Sequence, residues 1–549
     1  MTTEFLGKQL SGPFTIPSGI VTTSPAIIQR VIDTMPEIGV ITTKSIGKAP
    51  RLGNREPVYS QFAPGCFVNA VGLTNPGVEE ALQGLQQITV PEDRLLLVSI
   101  FGGSVEEFVE VATQLAPVAD GLELNLSCPH AKGYGMAMGQ DPDMVREVVA
   151  AVCAAVDIPV IPKLTPNVDD IAVIGRAAVE GGAAGLCAIN TAGPGYTESH
   201  GHPVLSNGLG GMSGKGVLPL TLKALTALRV ETDLPLIGCG GLSSAADCRA
   251  AAGCGATIFG IGSGLTGMNT ADIAAYFATV ANDLGSGTDQ AGQLIRFDVD
   301  MAFKPYRVVG NDMVCEDITV VTLDGDLDIR AGEYVFVWIP GVGEKPFSCL
   351  THDPVRLAVI NVGEFTERCY QLAPGDDVYL RGPHGVPVTP PADAHIVCVA
   401  GGTGLAAVYQ VAEDFSSAEQ PVDLFIGART ADRLYFRDEC DAVGRVTLAT
   451  DDGSAGFHGR VSDALDAFLA EQSADALANM VFYNCGPAPM IHASEAVQKR
   501  YVPADRIFSA IDYLTKCGVG ICGACASPDG RRICVDGPFI TNEPAAVAR

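Results

Sequence analysis

Seven short apolar runs, each closed by polar or glycine residues, constrain the first half of this 549-residue chain more than any other feature. They are Gly39–Ser45, Leu95–Gly102, Gly121–Cys128, Pro159–Thr165, Gly185–Thr191, Leu234–Gly241 and Thr257–Gly262. Between them lie helical patterns such as Pro142–Val156, Asp169–Gly181 and Leu218–Thr232. Repeated β-then-α units over about 250 residues predict a (β/α)8 barrel across residues 1–285. A doubly wound sheet is the alternative, disfavoured because no G-x-G-x-x-G turn follows the first run. With 47% hydrophobic and 18% charged residues, the chain has apolar mass for several cores.

In such a barrel the chemistry sits at the carboxyl ends of the strands. Lys44 and Ser45 end one run, and Asn125, Ser127 and Cys128 another. Lys163 and Thr165 end a third, Asn190 and Thr191 a fourth. A polar group at an apolar strand end is costly unless it meets a partner. One such residue reads as a satisfied core group; four strands doing it converge on a pocket. The last two runs end in glycine, at Gly238–Gly241 and Gly260–Gly264, and Gly210–Gly214 adds a third bare backbone approach. Together they imply a phosphorylated cofactor held by backbone N–H groups. Lys163 suits the end of a flavin that becomes negative on reduction; its plainer reading is a surface ion-pair lysine.

Asn69-Ala-Val-Gly-Leu-Thr-Asn75, Asn125-Leu-Ser-Cys-Pro-His130, Lys163-Leu-Thr-Pro-Asn-Val168 and Asn190-Thr191 resemble the cytosolic, cysteine-dependent members of the dihydroorotate dehydrogenase family, over residues 1–285. The resemblance implies that Cys128 is the base that removes the C5 proton of dihydroorotate, under a lid at Pro129–Gln140. It implies substrate contacts from Lys44, Asn69, Ala70, Val71, Gly72, Leu73, Asn125, Asn190 and Thr191. It implies FMN contacts from Ser18, Lys44, Ser45, Ser99, Asn125, Lys163, Ile189, Gly214, Gly240, Gly241, Gly262 and Ser263. One departure stands out. His130 occupies a position that is often Asn, and the stretch around it also resembles the dihydropyrimidine dehydrogenases, which act on rings without a carboxylate. A substrate of the uracil or thymine type is therefore the alternative. A non-catalytic relay on an old scaffold is a further one, opposed by the joint presence of Cys128, Lys44, Lys163 and the asparagines.

After a Gly/Ser-rich break, predicted as a flexible linker at residues 286–292, the pattern changes. Residues 293–391 hold short β runs separated by turns and predict an antiparallel β-barrel. Residues 392–505 return to α/β alternation, with Gly401-Gly-Thr-Gly404 between an apolar strand and a helix, a phosphate-site pattern. In residues 506–549, Cys517, Cys522, Cys525 and Cys534 read C-x4-C-x2-C-x8-C. That is the plant-type spacing for a [2Fe–2S] cluster, with a structural zinc site as the alternative.

Barrel, α/β module and the Cys485-Gly-Pro-Ala-Pro-Met490 element resemble the ferredoxin reductase superfamily, in which the barrel binds FAD and the second module NAD(P). The cysteine loop, closed by Cys534-Val-Asp-Gly-Pro538, narrows this to the electron-transfer subunit of NAD-linked dihydroorotate dehydrogenases. By that resemblance FAD is held by Lys345, Pro346, Phe347, Ser348, Ala358, Val359, Ile360, Phe365 and Thr366, although Lys345 stands where arginine is usual and Phe365 where glycine is. NAD is held by Gly401, Gly402, Thr403, Gly404, Cys485 and Gly486. Thr450–Ser454 reads equally as a ribose contact or a plain turn, and His384 as a turn residue near FAD.

The formal net charge of −28 opposes a nucleic-acid partner. No run reaches the length of a membrane span, and the scattered cysteines, 17 in all, suit a reducing cytoplasm. The expectation is a fused two-flavin, iron–sulfur enzyme, homodimeric through its first barrel by family resemblance. Electrons pass from dihydroorotate through FMN, the cluster and FAD to NAD+.

Overall fold

The computed structural model describes residues 2–126, 136–296 and 299–541, and Cys128 and His130 lie outside them. The chain forms two units: residues 1–301 with 519–532, and residues 302–518 with 533–549.

The first unit is a closed parallel barrel. Its strands are β1 Phe14–Thr15, β2 Ile38–Thr42, β3 Leu95–Ile100, β4 Gly121–Asn125, β5 Val160–Leu164, β6 Leu186–Ala188, β7 Leu236–Cys239 and β8 Ala256–Gly260, hydrogen-bonded in chain order. Every one except β8 and the end of β4 is wholly buried, which is why they read as unbroken apolar runs. The seven predicted runs are β2 to β8; β1 has too few residues to read. Helices start on side-chain caps: Ser24 before Pro25, Ser104, Asp141 before Pro142, Asp170, Ser244 and Asn269 each accept from a first-turn N–H.

Two excursions leave the barrel, after β2 and after β6, and join as a four-stranded antiparallel sheet of Ala192–Tyr196, Leu209–Gly214, Cys66–Asn69 and Tyr59–Ala63. This sheet pairs Asn69 with Gly211. A side chain on Gly211 would stand 2.1 Å from Thr191 Oγ1, so the sheet is pressed against the end of β6.

The predicted linker is not free. Ser286 ends the helix Thr270–Ser286, and Ala291–Gln293 form a 3-10 turn with Ala291 buried. Asp283 accepts from Ala291 N (2.7 Å) and from the Thr288 hydroxyl. The division between units falls instead at Met301/Ala302. The short segment 519–532 completes the first unit. Ile521 O accepts from Val21 N (2.8 Å) and Val519 O from Gly267 N (2.9 Å). The buried Arg532 donates to Gly520 O (2.6 Å) and Met268 O (3.1 Å).

In the second unit, a seven-stranded antiparallel sheet runs in the order Gly343–Phe347, Tyr334–Ile339, Asp377–His384, Lys304–Cys315, Ile318–Leu323, Val355–Ile360, Thr351–His352. It folds round one core containing Val308, Val321, Val337, Leu357 and Leu380. The expected barrel is there as antiparallel strands, but its ladder has two edges rather than a closed ring.

The α/β sheet follows, in the order Phe457–His458, Gly444–Thr450, Val422–Ala428, His395–Gly401, Met480–Cys485, Ile507–Ala510, Ile540–Thr541, parallel except for the last strand. Alternate residues of its central strand enter different cores, Ile396 and Cys398 one, Val397 and Val399 the other. Both faces are therefore covered. The described part of the expected cluster region, residues 506–541, thus holds two strands of this sheet, Ile507–Ala510 and Ile540–Thr541.

Candidate active site and cofactor cradles

Residues at the carboxyl ends of the barrel strands meet in one hydrogen-bonded constellation. Asn190 Nδ2 donates to Asn125 Oδ1 (3.2 Å), and Asn125 Nδ2 donates to Ser45 Oγ (3.0 Å). Ser45 Oγ lies 3.0 Å from Ser18 Oγ and 2.9 Å from Ser99 Oγ, and Ser99 donates to Glu123 Oε1 (2.9 Å). Thr191 N donates to Asn190 Oδ1 (2.8 Å), and Asn69 Nδ2 to Gly211 O (3.2 Å). Ser18, Ser45, Ser99, Asn125, Asn190 and Thr191 are thus brought together, while Asn69 bonds within the adjoining sheet. Lys44 follows β2, its N–H bonded to Thr22 O (3.1 Å). Ala70 is buried, and Val71, Gly72 and Leu73 form a turn in which Gly72 (φ +85°) and Leu73 (φ +56°) are left-handed. The predicted lid is described only in its last turn, the helix Met136–Gln140, where Gln140 Nε2 donates to Asn167 O (2.6 Å).

Lys163, on β5, is 4% exposed. Its Nζ stands 3.8 Å from Glu123 Oε1. Burial opposes its charge, but Glu123 and the thiols of Cys239 and Cys187 outweigh that and hold its pKa above the ordinary lysine value. The two buried thiols are 3.6 Å apart. The hydrogen bond from Cys187 lowers the pKa of Cys239, with Lys163 acting in the same direction. The surface ion-pair reading of Lys163 is excluded by its burial. Glu123 and this thiol pair were not singled out in the sequence; an acid within the apolar run Gly121–Asn125 was the available signal.

The glycine loops fit a phosphate-bearing cofactor. Gly214 (φ +94°) and Gly241 (φ +80°) approach each other so closely that a side chain on Gly241 would lie 2.8 Å from Gly214 O and 2.7 Å from Leu218 N. With Lys215, Ser243, Ser263 and Arg296 they line one small pocket, open to solvent. Lys215 is held by Asp247 (2.6 Å). Lys215 and Arg296 add cations that the glycine pattern did not reveal. Gly240 (φ +112°) has no space for a side chain beside Ile189, which follows β6, and Gly262 follows β8. A bare backbone with flanking cations fits the phosphate of a cofactor such as FMN, and a buried lysine is the kind of cation that suits a flavin ring.

In the second unit, Gly401–Gly404 and Cys485–Gly486 follow adjacent parallel strands. The chain steps outward from His395–Gly401 on one side and from Met480–Cys485 on the other, so these loops flank the switch point where nucleotides bind in open α/β sheets. A side chain on Gly404 would stand 2.4 Å from the Cys485 carbonyl, and Thr403 lies in the intervening 3-10 turn. The donor set is again bare backbone, and it fits a dinucleotide.

Lys345, Pro346 and Phe347 lie on an edge strand, with Ser348 next; an ammonium, a hydroxyl and an open edge fit a flavin nucleotide. Ala358, Val359 and Ile360 lie in the strand Val355–Ile360, but Val359 and Phe365 point into the core, leaving only their backbone for a ligand. Thr366 Oγ1 accepts from Val362 N (2.9 Å) and Gly363 N (3.0 Å), which ties it to the start of its own helix. Thr450–Ser454 is a self-bonded turn, Asp452 accepting from Ser454 N (3.0 Å). His384 is buried with its Nε2 3.1 Å from Arg381 Nη1, and burial, then Arg381, pushes its pKa down to about 3.

Cys517, Cys522, Cys525 and Cys534 are all buried and none is in a disulfide. Gly518, Gly520 and Gly523 among them have positive φ. Cys522 and Cys525 belong to the first unit, Cys517 and Cys534 to the second. Among the described residues no group of three or more His, Cys, Asp or Glu is gathered as a metal site. The C-x4-C-x2-C-x8-C spacing with glycines between the thiols suits an iron–sulfur cluster.

Three regions of the chain match models of known protein families. The dihydroorotate dehydrogenase family model matches residues 1–275. The oxidoreductase NAD-binding domain matches residues 398–496. The iron-sulfur cluster binding domain of dihydroorotate dehydrogenase B matches residues 514–543. The catalytic subunit of dihydroorotate dehydrogenase B (NAD(+)) from Pyrococcus horikoshii is 46% identical over 242 residues, covering 44% of this chain and 78% of the relative. That of Methanocaldococcus jannaschii is 40% identical over 269 residues, covering 48% and 87%. None of these matches is to a dihydropyrimidine dehydrogenase. With that family model over residues 1–275 and a relative 46% identical across 78% of its own length, the chain belongs to the dihydroorotate dehydrogenase family.

Proposed function

We propose that the protein oxidises dihydroorotate to orotate, the pyrimidine-forming step, and passes the electrons to NAD+. The observation that carries this is the strand-end constellation of Asn125, Asn190 and Ser45, joined through Ser99 and Glu123 to buried Lys163, in a chain of this family. When bound, FMN accepts hydride from C6 of the substrate, the [2Fe–2S] cluster carries single electrons, and FAD collects two for NAD+.

The rest is the work of the chain's own residues. Cys128, as thiolate, takes the C5 proton; a thiol tuned towards neutrality suits a proton α to a carbonyl. Lys44 offers its ammonium to the substrate carboxylate. Asn69, Asn125, Asn190 and Thr191 orient the ring, and residues 70–73 wall the pocket. Lys163 would supply the cation for the flavin ring, and Ser18, Ser45, Ser99 and Ile189 would help to hold the cofactor. Gly214, Gly240, Gly241, Gly262 and Ser263 hold its phosphate. Residues 345–348, 358–360, 365 and 366 hold FAD, and Gly401–Gly404 with Cys485 and Gly486 hold NAD. Cys517, Cys522, Cys525 and Cys534 ligate the cluster. We further propose homodimerisation through the first barrel in the cytoplasm; sedimentation of the purified protein as a monomer overturns the dimer.

The test is anaerobic. Adding dihydroorotate to the flavin-loaded protein is expected to bleach flavin absorbance, and NAD+ then restores it. Dihydrouracil in place of dihydroorotate is expected to do neither. No bleaching with dihydroorotate defeats the reading.

A further inference from the structure

Two charged side chains are buried in the antiparallel sheet of the second unit, where the proposed electron path gives them no part. Arg381, in the strand Asp377–His384, and Glu344, in the edge strand Gly343–Phe347, are both 1% exposed. The strand Tyr334–Ile339 runs between these two, so the side chains meet across it. Arg381 Nε donates to Glu344 Oε2 (2.8 Å) and Nη2 to Oε1 (2.9 Å), a two-pronged pair. Phe336, the cross-strand neighbour of Arg381, stacks on the guanidinium, its ring centre 3.9 Å from Cζ. A carboxylate on one edge and a ring on one face fix the plane of the group, and with it the direction of the third nitrogen.

That nitrogen, Nη1, has two protons and meets two acceptors. One is the carbonyl of Cys517 (3.1 Å), and the other is His384 Nε2 (3.1 Å). The imidazole is neutral at pH 7, since burial and then Arg381 push its pKa down to about 3. The backbone after Cys517 is shaped to the same group. Gly518 has φ +78°, and a side chain there would stand 2.6 Å from Phe336 Cε2 and 3.1 Å from Arg381 Nη1. Glycine is what lets the chain lie against the guanidinium.

A buried ion pair is by itself weak support for a fold, because an apolar pair of like volume often serves as well. An apolar pair would lack the third arm. Glu344 occupies the Nε–Nη2 edge, so the pair, neutral as a whole, presents its positive end to Cys517.

We propose that Arg381 is a positioning residue for the iron–sulfur cluster: clamped by Glu344 and Phe336, it holds the Cys517–Gly518 backbone and turns positive charge towards that ligand, which raises the potential of the cluster. This role rests on the reading of Cys517 as a cluster ligand. Reduction adds one negative charge to a cluster, and the charges and hydrogen bonds around it set how readily that charge is taken.

The experiment titrates the full iron-loaded chain against redox dyes and follows the electron paramagnetic resonance of the reduced cluster. In Glu344→Gln, Arg381 keeps its charge and its bond to Cys517 but loses its counter-charge. The ratio of reduced to oxidised cluster at a fixed potential is expected to rise about threefold. In the double variant, Glu344→Gln with Arg381→Gln, two amides replace the pair and the positive end is gone. The ratio is expected to fall about tenfold, a shift of about 59 mV for one electron. Hydrogen exchange in the peptide 512–518 is expected to quicken in the double variant and to stay parent-like in Glu344→Gln. A pair that only filled space would not split the potential in opposite directions.

No rise in Glu344→Gln, no fall in the double variant, or parent-like exchange in the double variant overturns the proposal. Should the double variant fail to fold or to take up iron, Glu344→Gln alone decides: a rise supports the proposal and its absence overturns it. A parent chain that takes up no iron defeats the cluster reading instead. Exchange in the iron-free protein then judges the hold on Cys517: quickening in the double variant supports it, and parent-like exchange overturns it.

Discussion

Lys163 keeps its charge inside the barrel because Glu123 and two thiols surround it. Removing the ammonium strands the carboxylate: Lys163→Met is expected to cost roughly 3–5 kcal/mol, as breaking buried pairs does. Thermal unfolding and flavin retained after gel filtration both check it, and an unchanged melting temperature contradicts it. Cys128→Ala is expected to abolish flavin reduction by dihydroorotate and to spare NADH-to-dye activity; loss of both contradicts the division of labour. At the cradle, Gly241→Ala must accept a left-handed φ of +80° and a 2.7 Å contact with Leu218 N. The conformation alone costs roughly 1–2 kcal/mol, and FMN content is expected to fall with it; full flavin content clears Gly241 of a cofactor role. Lys163 was legible in the sequence because a lysine closing an apolar run is conspicuous. Glu123 was not, because one charge between leucines disappears into the hydrophobic average of a strand.

At the level of elements, the segment after the helix Thr270–Ser286 is fastened by Asp283, with Arg249 donating to Thr288 O (3.2 Å). Asp283 is wholly buried; the Thr288 hydroxyl, followed by the Ala291 and Gln290 N–H groups, draws its pKa below the free value of 3.8. A carboxyl with a lowered folded-state pKa adds stability that is fully present above the unfolded value and is lost as pH falls through the folded one. Asp283→Asn is therefore expected to lower the melting temperature at pH 7, with the difference closing below about pH 4. A difference independent of pH would mean that the contribution is not electrostatic. The Gly/Ser composition of residues 286–292 suggested freedom, and no local pattern announces a carboxylate that reaches forward eight positions to Ala291. The four-stranded sheet escaped the sequence for a related reason: its halves come from two excursions far apart in the chain, and only their pairing makes strands of them. β2 to β8 were legible because burial on both faces leaves one continuous apolar signal.

For the whole molecule, the sequence marked three regions by their chemistry more surely than by their borders. Cysteine and glycine spacing survives any packing, whereas a border depends on which surfaces meet. Cys525→Ser is expected to remove the iron signal and to stop NADH formation from dihydroorotate. Dihydroorotate should still bleach part of the flavin and NADH the remainder; full NADH formation without iron contradicts the relay of electrons through these cysteines. The segment 519–532 has a further consequence, for synthesis. The ribosome releases residues 1–301 long before it reaches this segment, yet Val21 N, Gly267 N and Met268 O find their partners only there. The barrel therefore waits, with backbone groups open, while the second unit is translated. A nascent chain stalled before residue 519 is expected to be cut by protease near Val21 and Gly267, and one released after residue 532 to resist. The late return of so short a stretch makes completion of the first unit a report that residues 302–518 have been made.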